Sequence, residues 1–414
     1  MRIIFQSIYP YVFLFYCFAL PLDKFATSVP NIVLISLAVM FPFVVSKADF
    51  QKLLNKETLI YTAMVLLILF GSLFHDYEHD FNIIKKMLVP ITLLILYLPL
   101  RNVGNLKKTV VISVLACILI SLYNLYFFYL ENGSFDFAFG SYIDDILVAD
   151  RLYIGFLCVT SVVCSISLMG NKYSEYNKWY FANIVLCILF VLLISSRSAI
   201  LLLLALFLIR IFYAKNKKPY VFFFLGVSLI TIVAFAVNEN LRDRFFYSYS
   251  TMNELSYWEQ VQDKEPRMYI WGCSWEIAKK EEYMLTGLGF YTTKDRLVEC
   301  FEEVVTPERK RNYFVNSRFN PHNQFIDLLL STGLLPTLLF IALFVLLFKR
   351  HRKDYGAMAF LMTLFLFCSI ESLFQRQLGA SYFGLYMIFL LRPYLDKALT
   401  KDTEPQEQPQ QQEN

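Results

Sequence analysis

The chain has 414 residues, 57% hydrophobic, 17% aromatic and 17% charged, with a mean hydropathy of +0.49. A soluble domain carries about 25% charged residues; here the apolar excess is gathered into membrane-length runs, which excludes a soluble enzyme, a disordered chain and a coiled-coil or collagen-like rod. The net charge of +4 is too small to point to nucleic acid.

A helix needs about 20 apolar residues to cross a bilayer. Runs of this kind begin near Ile8, Val29, Thr58, Ile83, Thr109, Leu152, Trp179, Ser198, Tyr220, Asn323, Ala357 and Ser381. They predict an all-α, polytopic membrane protein of about twelve spans. The first run carries one basic residue, Arg2, and no small-residue cleavage site follows it, so it reads as a retained span. The stretch from Trp179 to Ala214 is too long for one span, and Ser195-Ser196-Arg197-Ser198 interrupts it, which predicts two helices.

An even span count puts both ends on one side. Twenty Lys and Arg fall in the tails and connections on that side, against six in the short connections opposite. The positive-inside rule therefore predicts cytoplasmic termini. Helices 1–9 then occupy residues 1–237, one large extracytoplasmic loop residues 238–321, helices 10–12 residues 322–398, and a disordered cytoplasmic tail residues 399–414. The loop, roughly 80 residues, is too small for a large core of its own and is expected to pack on the outer mouth of the bundle. Six cysteines lie in apolar runs; Cys273 and Cys300 lie in the loop, where they could pair if that loop is extracytoplasmic.

Three stretches carry candidate chemistry. Arg197, in LLISSRSAILLL, is a permanent charge among apolar residues, and costs at least about 2.5–3.5 kcal/mol at mid-membrane. It either snorkels to the interface or binds an anion from a polar cavity with its fork of donors. In EPRMYIWGCSWEIAKKEEYMLTGLGF, apolar Met268, Trp271, Trp275 and Ala278 share one helical face, Pro266 suits a first turn, and Gly287 and Gly289 suit the end. Arg267 then stands at a helix N-terminus, which favours an anion, or is an ordinary solvated arginine. In FNPHNQFIDLLLSTGLLP, Asn320 and Pro321 read as N-cap and first residue of the tenth span, with His322 in its first turn. There the neutral imidazole is favoured, as a general base requires; a histidine bonded to backbone fits equally.

Weaker candidates are His75 and His79 in HDYEHD, with metal-like spacing but the composition of a solvated loop, and Glu371, which faces the same cavity or pairs with Arg376. Gly287-Leu288-Gly289 reads as a small-residue turn and not as a nucleotide motif.

Together these stretches resemble the O-antigen ligase and polymerase family of bacterial envelope glycosyltransferases. The resemblance rests on Ser196-Arg197-Ser198-Ala199 in a span, Arg267-Met268-Tyr269-Ile270-Trp271 and Gly287-Leu288-Gly289 in the loop, and His322, Asn323 and Gly333 after it. Pro336 departs from the ligase form, which usually has Gly, Thr or Tyr there. The resemblance implies a GT-C-like enzyme of the bacterial inner membrane. Its donor would be a glycan on undecaprenyl diphosphate, and its acceptor a lipid A–core sugar (ligase) or a second carrier-linked glycan (polymerase), with inversion and without metal or other cofactor. Arg197 and Arg267 would meet the diphosphate charge, and His322 the acceptor proton. Asn323, Trp271 and Tyr269 would contact substrate, although core packing explains the aromatics equally well. A non-enzymatic transporter of a lipid-linked glycan is the other class the residues admit, but it needs polar groups along a whole path. Here they cluster at the outer end.

Overall fold

Each apolar run lies in a helix. A computed structural model describes residues 2–22, 24, 28–75, 77–133, 142–170, 174–237, 241–242, 265–279, 285–306 and 308–403. Among them are seventeen α-helices, three short 3-10 turns and no strand. The apolar runs lie in α1 (Arg2–Ala19), α2 (Val29–Val44), α3 (Lys56–Ser72), α4 (Tyr77–Leu96), α5 (Val103–Asn132), α7 (Arg151–Leu168), α8 (Glu175–Leu193), α9 (Arg197–Tyr213), α10 (Lys218–Val237), α15 (Leu334–His351), α16 (Tyr355–Cys368) and α17 (Gln377–Thr403). The short α6 (Tyr142–Ile146) lies between α5 and α7, and α11 (Pro266–Ala278), α12 (Phe290–Val304), α13 (Glu308–Ser317) and α14 (Gln324–Thr332) between α10 and α15. Six helices, α1 with its 3-10 extension, α5, α7, α8, α10 and α15, are long and apolar enough to cross a membrane. The chain is a polytopic membrane protein.

Helix α7 is buried around most of its circumference, with α5, α8, α9 and α16 against it. A helix apolar on all faces belongs in the interior. Phe156 of α7 stacks on Phe367 of α16 at 4.0 Å and on Tyr386 of α17 at 5.6 Å. Polar groups in this interior find partners on neighbouring helices, as a low-dielectric medium demands. Tyr386 OH and Thr160 Oγ1 are 2.7 Å apart, and Asn183 Nδ2 donates to Ser161 and Ser165. Helix α10, with few buried residues, lies at the periphery.

The connections gather at two ends. At the Lys- and Arg-rich end, Arg350 pairs with the buried Glu57 at 2.9 Å, and Tyr213 OH donates to Arg352 O. At the opposite end, Lys24 and Arg376 both meet Asp150, Lys86 donates to Gln375 O, and Asp80 accepts the Tyr291 N–H of α12.

Helices α11 to α14 form a cap on that second end, with a small core of Ile270, Cys273, Ile277, Leu288, Leu297, Phe301, Phe314 and Leu330. Cys273 and Cys300 are joined in a disulfide between α11 and α12. The buried face of α11 is Ile270, Cys273, Ser274 and Ile277, with Met268 and Trp275 exposed, which corrects the face read from sequence. Apolar residues occur all round this helix, so spacing alone could not choose; the bond to Cys300 decides. The helix also ends at Ala278, before Gly287. The tenth apolar run is broken at Gly333. Its first part, α14, packs into the cap, and only α15 is a spanning helix. Helix α17 continues to Thr403, so the expected disordered tail is helical over its first residues; 404–414 lie outside the described residues.

Candidate functional site

Arg197 begins α9 immediately after a tight break. Ser195 adopts a left-handed φ of 54°, its N–H donates to Leu192 O, and the Ser196 N–H donates to Val191 O, which closes α8. Gly155 of α7 lies against this turn: a Cβ there would run into Ser196 Oγ and Ala199 Cβ. A buried helix thus supports the turn that aims the arginine.

Arg267 is the second residue of α11. The two arginines, from elements 70 residues apart in sequence, meet at Glu265. Arg197 Nη2 is 2.6 Å from one carboxylate oxygen and Arg267 Nη1 is 3.3 Å from the other. All three side chains are about a quarter exposed or less. Partial burial strengthens these charge interactions relative to a fully solvated pair.

His322 is not in a helix. It has a left-handed φ of 45°, its N–H donates to Asn320 Oδ1, and the helix begins two residues later with Asn323 as N-cap. The expected start at Pro321 is therefore too early. The reason is local: Asn323 Oδ1 accepts from both Phe325 and Ile326, a stronger cap than Asn320 supplies. Without a helix N-terminus at the ring, the proton arrangement is set otherwise. His322 Nδ1 lies 3.0 Å from Glu371 Oε2, whose side chain is only 3% exposed. A carboxylate there holds the Nδ1–H tautomer, leaving Nε2 as the accepting nitrogen. Glu371 thus meets His322 and not Arg376, whose partner is Asp150. Among the described residues, only Ser195, Arg318 and His322 are non-glycines with positive φ, at a cost of about 1–3 kcal/mol each. Ser195 lies two residues before Arg197, and His322 is itself a candidate.

The remaining sequence candidates serve the scaffold in this structure. Trp271 Nε1 donates to Pro321 O at 3.0 Å, tying α11 to the segment that carries His322. Tyr269 packs edge-on against Phe314, with Lys310 Nζ 4.6 Å from its ring centre. Asn323 Nδ2 donates to Ser369 O, two residues before Glu371. Asp327 of α14, whose carboxyl burial pushes up to about 6, accepts from Gln375 Nε2. His79 packs on Tyr291, so the HDYEHD segment docks α12 onto the bundle. Gly287 and Gly333, both at positive φ, bring two backbone segments face to face: a Cβ on Gly287 would meet Ser331 O and Thr332 N, and one on Gly333 would run into Leu285 O. Leu288 N–H donates to Leu330 O and Gly289 N–H to Ser331 O across this contact.

Glu371, a weaker candidate in the sequence, is an acid in an apolar stretch, and of its two readings the structure supports the one without Arg376. Glu265 was missed, because its partner Arg197 is far away in sequence.

A polytopic helical membrane protein in which two arginines share one carboxylate and a histidine meets a buried acid is what this fold and geometry define. Residues 182–341 match the family model described as O-antigen ligase. The matched stretch includes Arg197, Arg267, His322, Asn323 and Gly333. No curated protein matches the chain.

Proposed function

We propose that the protein is a glycosyltransferase of the bacterial inner membrane, with its site facing the periplasm. It would move a glycan from undecaprenyl diphosphate to a lipid A–core acceptor, with inversion and without a metal. Twelve spans with both termini cytoplasmic accompany this reading. It is supported by the charge bias of the connections and by the meeting of Lys24, Asp150, Asp80, Lys86 and Arg376 with cap or loop residues at one end. The observation that carries the proposal is the convergence of Arg197 and Arg267 on one carboxylate. Two guanidinium groups aimed at one point suit a diphosphate.

In the reaction, the acceptor hydroxyl attacks the anomeric carbon from the face opposite the leaving group. The bond from that carbon to the diphosphate oxygen breaks, and the oxygen keeps the electron pair. Arg197 and Arg267 stabilise the growing negative charge. His322 Nε2 takes the hydroxyl proton, while Glu371 holds the opposite nitrogen and stabilises the imidazolium that forms. Asn323, Trp271 and Tyr269 would fix or contact substrate beside them.

Polymerase activity on a second carrier-linked glycan is the other reading. Pro336 favours it, standing where ligases usually have Gly, Thr or Tyr; it fits the first turn of α15 without strain. Lipopolysaccharide gels of a deletion strain separate the two. Carrier-linked polymer with none on core means ligase, a single capped repeat means polymerase, and an unchanged ladder removes both. Reporter fusions at Asn132 and Thr306 should read extracytoplasmic, and those at Asn171 and Asp354 cytoplasmic. A cytoplasmic signal at Thr306 would put the site on the wrong face.

A further inference from the structure

Glu265 occupies the point where the two arginines converge. Its two oxygens are divided between them, at 2.6 Å from Arg197 Nη2 and 3.3 Å from Arg267 Nη1. Such a division is how one phosphate of a ligand would be held by the same two groups. The fit to the carboxylate is incomplete: Arg267 Nε is buried and has no hydrogen-bond partner among the described residues. A buried donor left unmet is costly, and a diphosphate has oxygens enough to meet it where a single carboxylate does not. Glu265 is also the N-cap residue of α11, yet its side chain caps none of the helix's free amides. Pro266 has no N–H and the Met268 N–H already donates to the Glu265 carbonyl, so it is the Arg267 N–H that offers the carboxylate another resting place once the arginines are taken.

We propose that Glu265 is a built-in competitor for the donor's diphosphate. It holds Arg197 and Arg267 while the site is empty, moves aside when the donor seats, and returns to expel the polyprenyl diphosphate product. This rests on the reading of the two arginines as diphosphate ligands. The physical need is clear from the charges. Breaking the glycosidic bond adds negative charge to the leaving group, so the arginines grip the product more tightly than the donor. A tethered acid that refills the site offsets that grip. The opposite role, an organiser that holds the arginines in place for the ligand, predicts a change of opposite sign.

The test is equilibrium binding of undecaprenyl diphosphate to the full-length protein in lipid nanodiscs. Glu265→Gln keeps size and removes charge; Glu265→Ala removes the group. Both should bind roughly fivefold more tightly, the equivalent of a partly exposed ion pair at the upper end of its range. In turnover both should show a lower donor KM and slower product release. Either variant suffices if the other does not fold, as judged by thermal unfolding. Equal or weaker binding in the folded variant overturns the proposal. Arg197→Lys and Arg267→Lys, measured alongside, separate the two levels of inference. If they too keep wild-type affinity, the diphosphate reading itself fails. If they lose affinity while the Glu265 variants gain none, the competitor role alone falls.

Discussion

The bundle and the cap are held together by different means. In the bundle, α7, α16 and α17 bury large aromatic side chains against one another, and the core extends across nearly all the membrane helices. Among the described residues the cap has a core of nine buried apolar side chains, and a core that small gains little from apolar burial alone. It relies on point attachments: a disulfide between α11 and α12, a backbone contact through Gly287 and Gly333, the Tyr291 N–H on Asp80, and the Trp271 bond to Pro321. The candidate site draws one arginine from the bundle and one from the cap, and its histidine sits on the link between them. Precision there depends on the weaker region, so damage to the attachments should impair chemistry before it unfolds the protein.

The largest effects are expected where the two regions meet at the ligand. Arg197→Lys, on the bundle side, and Arg267→Lys, on the cap side, keep the charge but lose the fork, and each should lower transfer by about 10²–10³-fold. His322→Ala should lower it by about 10²–10⁴-fold with carrier-lipid binding largely intact, since its role is confined to the transition state. Wild-type transfer by His322→Ala at normal protein level would remove the histidine from the mechanism.

How much of this could be read from the sequence follows the same division. The bundle was legible because a spanning helix announces itself in one continuous run, and the Ser195–Ser198 break was visible as polar residues within one. The cap was less so. The face of α11 depends on a disulfide to a residue 27 positions on, and the true start of α14 depends on which asparagine caps better. His322 and both arginines were found because residue type and motif order pointed to them. Glu371 stood out as an acid in an apolar run, but its partner lies 49 positions away; Glu265 acquires meaning only through Arg197, 68 positions distant, and no local pattern carries that information.

A smaller effect separates the regions by stability. Cys273→Ser together with Cys300→Ser should destabilise the cap by about 2–4 kcal/mol and leave the bundle unchanged. Thermal unfolding followed by proteolysis should show early cleavage within residues 265–333 and an intact membrane fragment. Transfer should fall with it, since α11 carries Arg267. Simultaneous loss of both regions would show that the cap is not a separate unit of stability.

Smaller still is the contribution of Trp271. Trp271→Phe keeps a ring but removes the donor to Pro321 O, a loss of about 0.5–1.5 kcal/mol. If the hydrogen bond to the His322 segment is what matters, the Phe variant should show reduced kcat and an unchanged KM for the donor. If the ring stacks on sugar, Phe should behave as wild type and only Trp271→Ala should raise KM. The second outcome would move Trp271 from scaffold to substrate contact.

The smallest expected effect is none at all, and it concerns divalent metal. Enzymes that expel a diphosphate often use Mg²⁺ held by one or two carboxylates. At the end of the bundle that carries the cap, six of the described carboxylates already have partners. Glu265 is held by two arginines, Glu371 by His322, Asp80 by the Tyr291 N–H, Asp144 by the Arg151 N–H, Asp150 by Lys24 and Arg376, and Asp327 by Gln375. Recruiting any pair of them to a metal would break contacts that orient the histidine or dock the cap. The leaving-group charge is then left to Arg197 and Arg267, with the N-terminus of α11 beside the latter. Purified protein should therefore transfer glycan from the lipid carrier in excess EDTA at close to its untreated rate. If EDTA stopped transfer and Mg²⁺ or Mn²⁺ restored it, the arginine account would be wrong, and the metal ligands would have to be sought among the acidic residues of the outer connections.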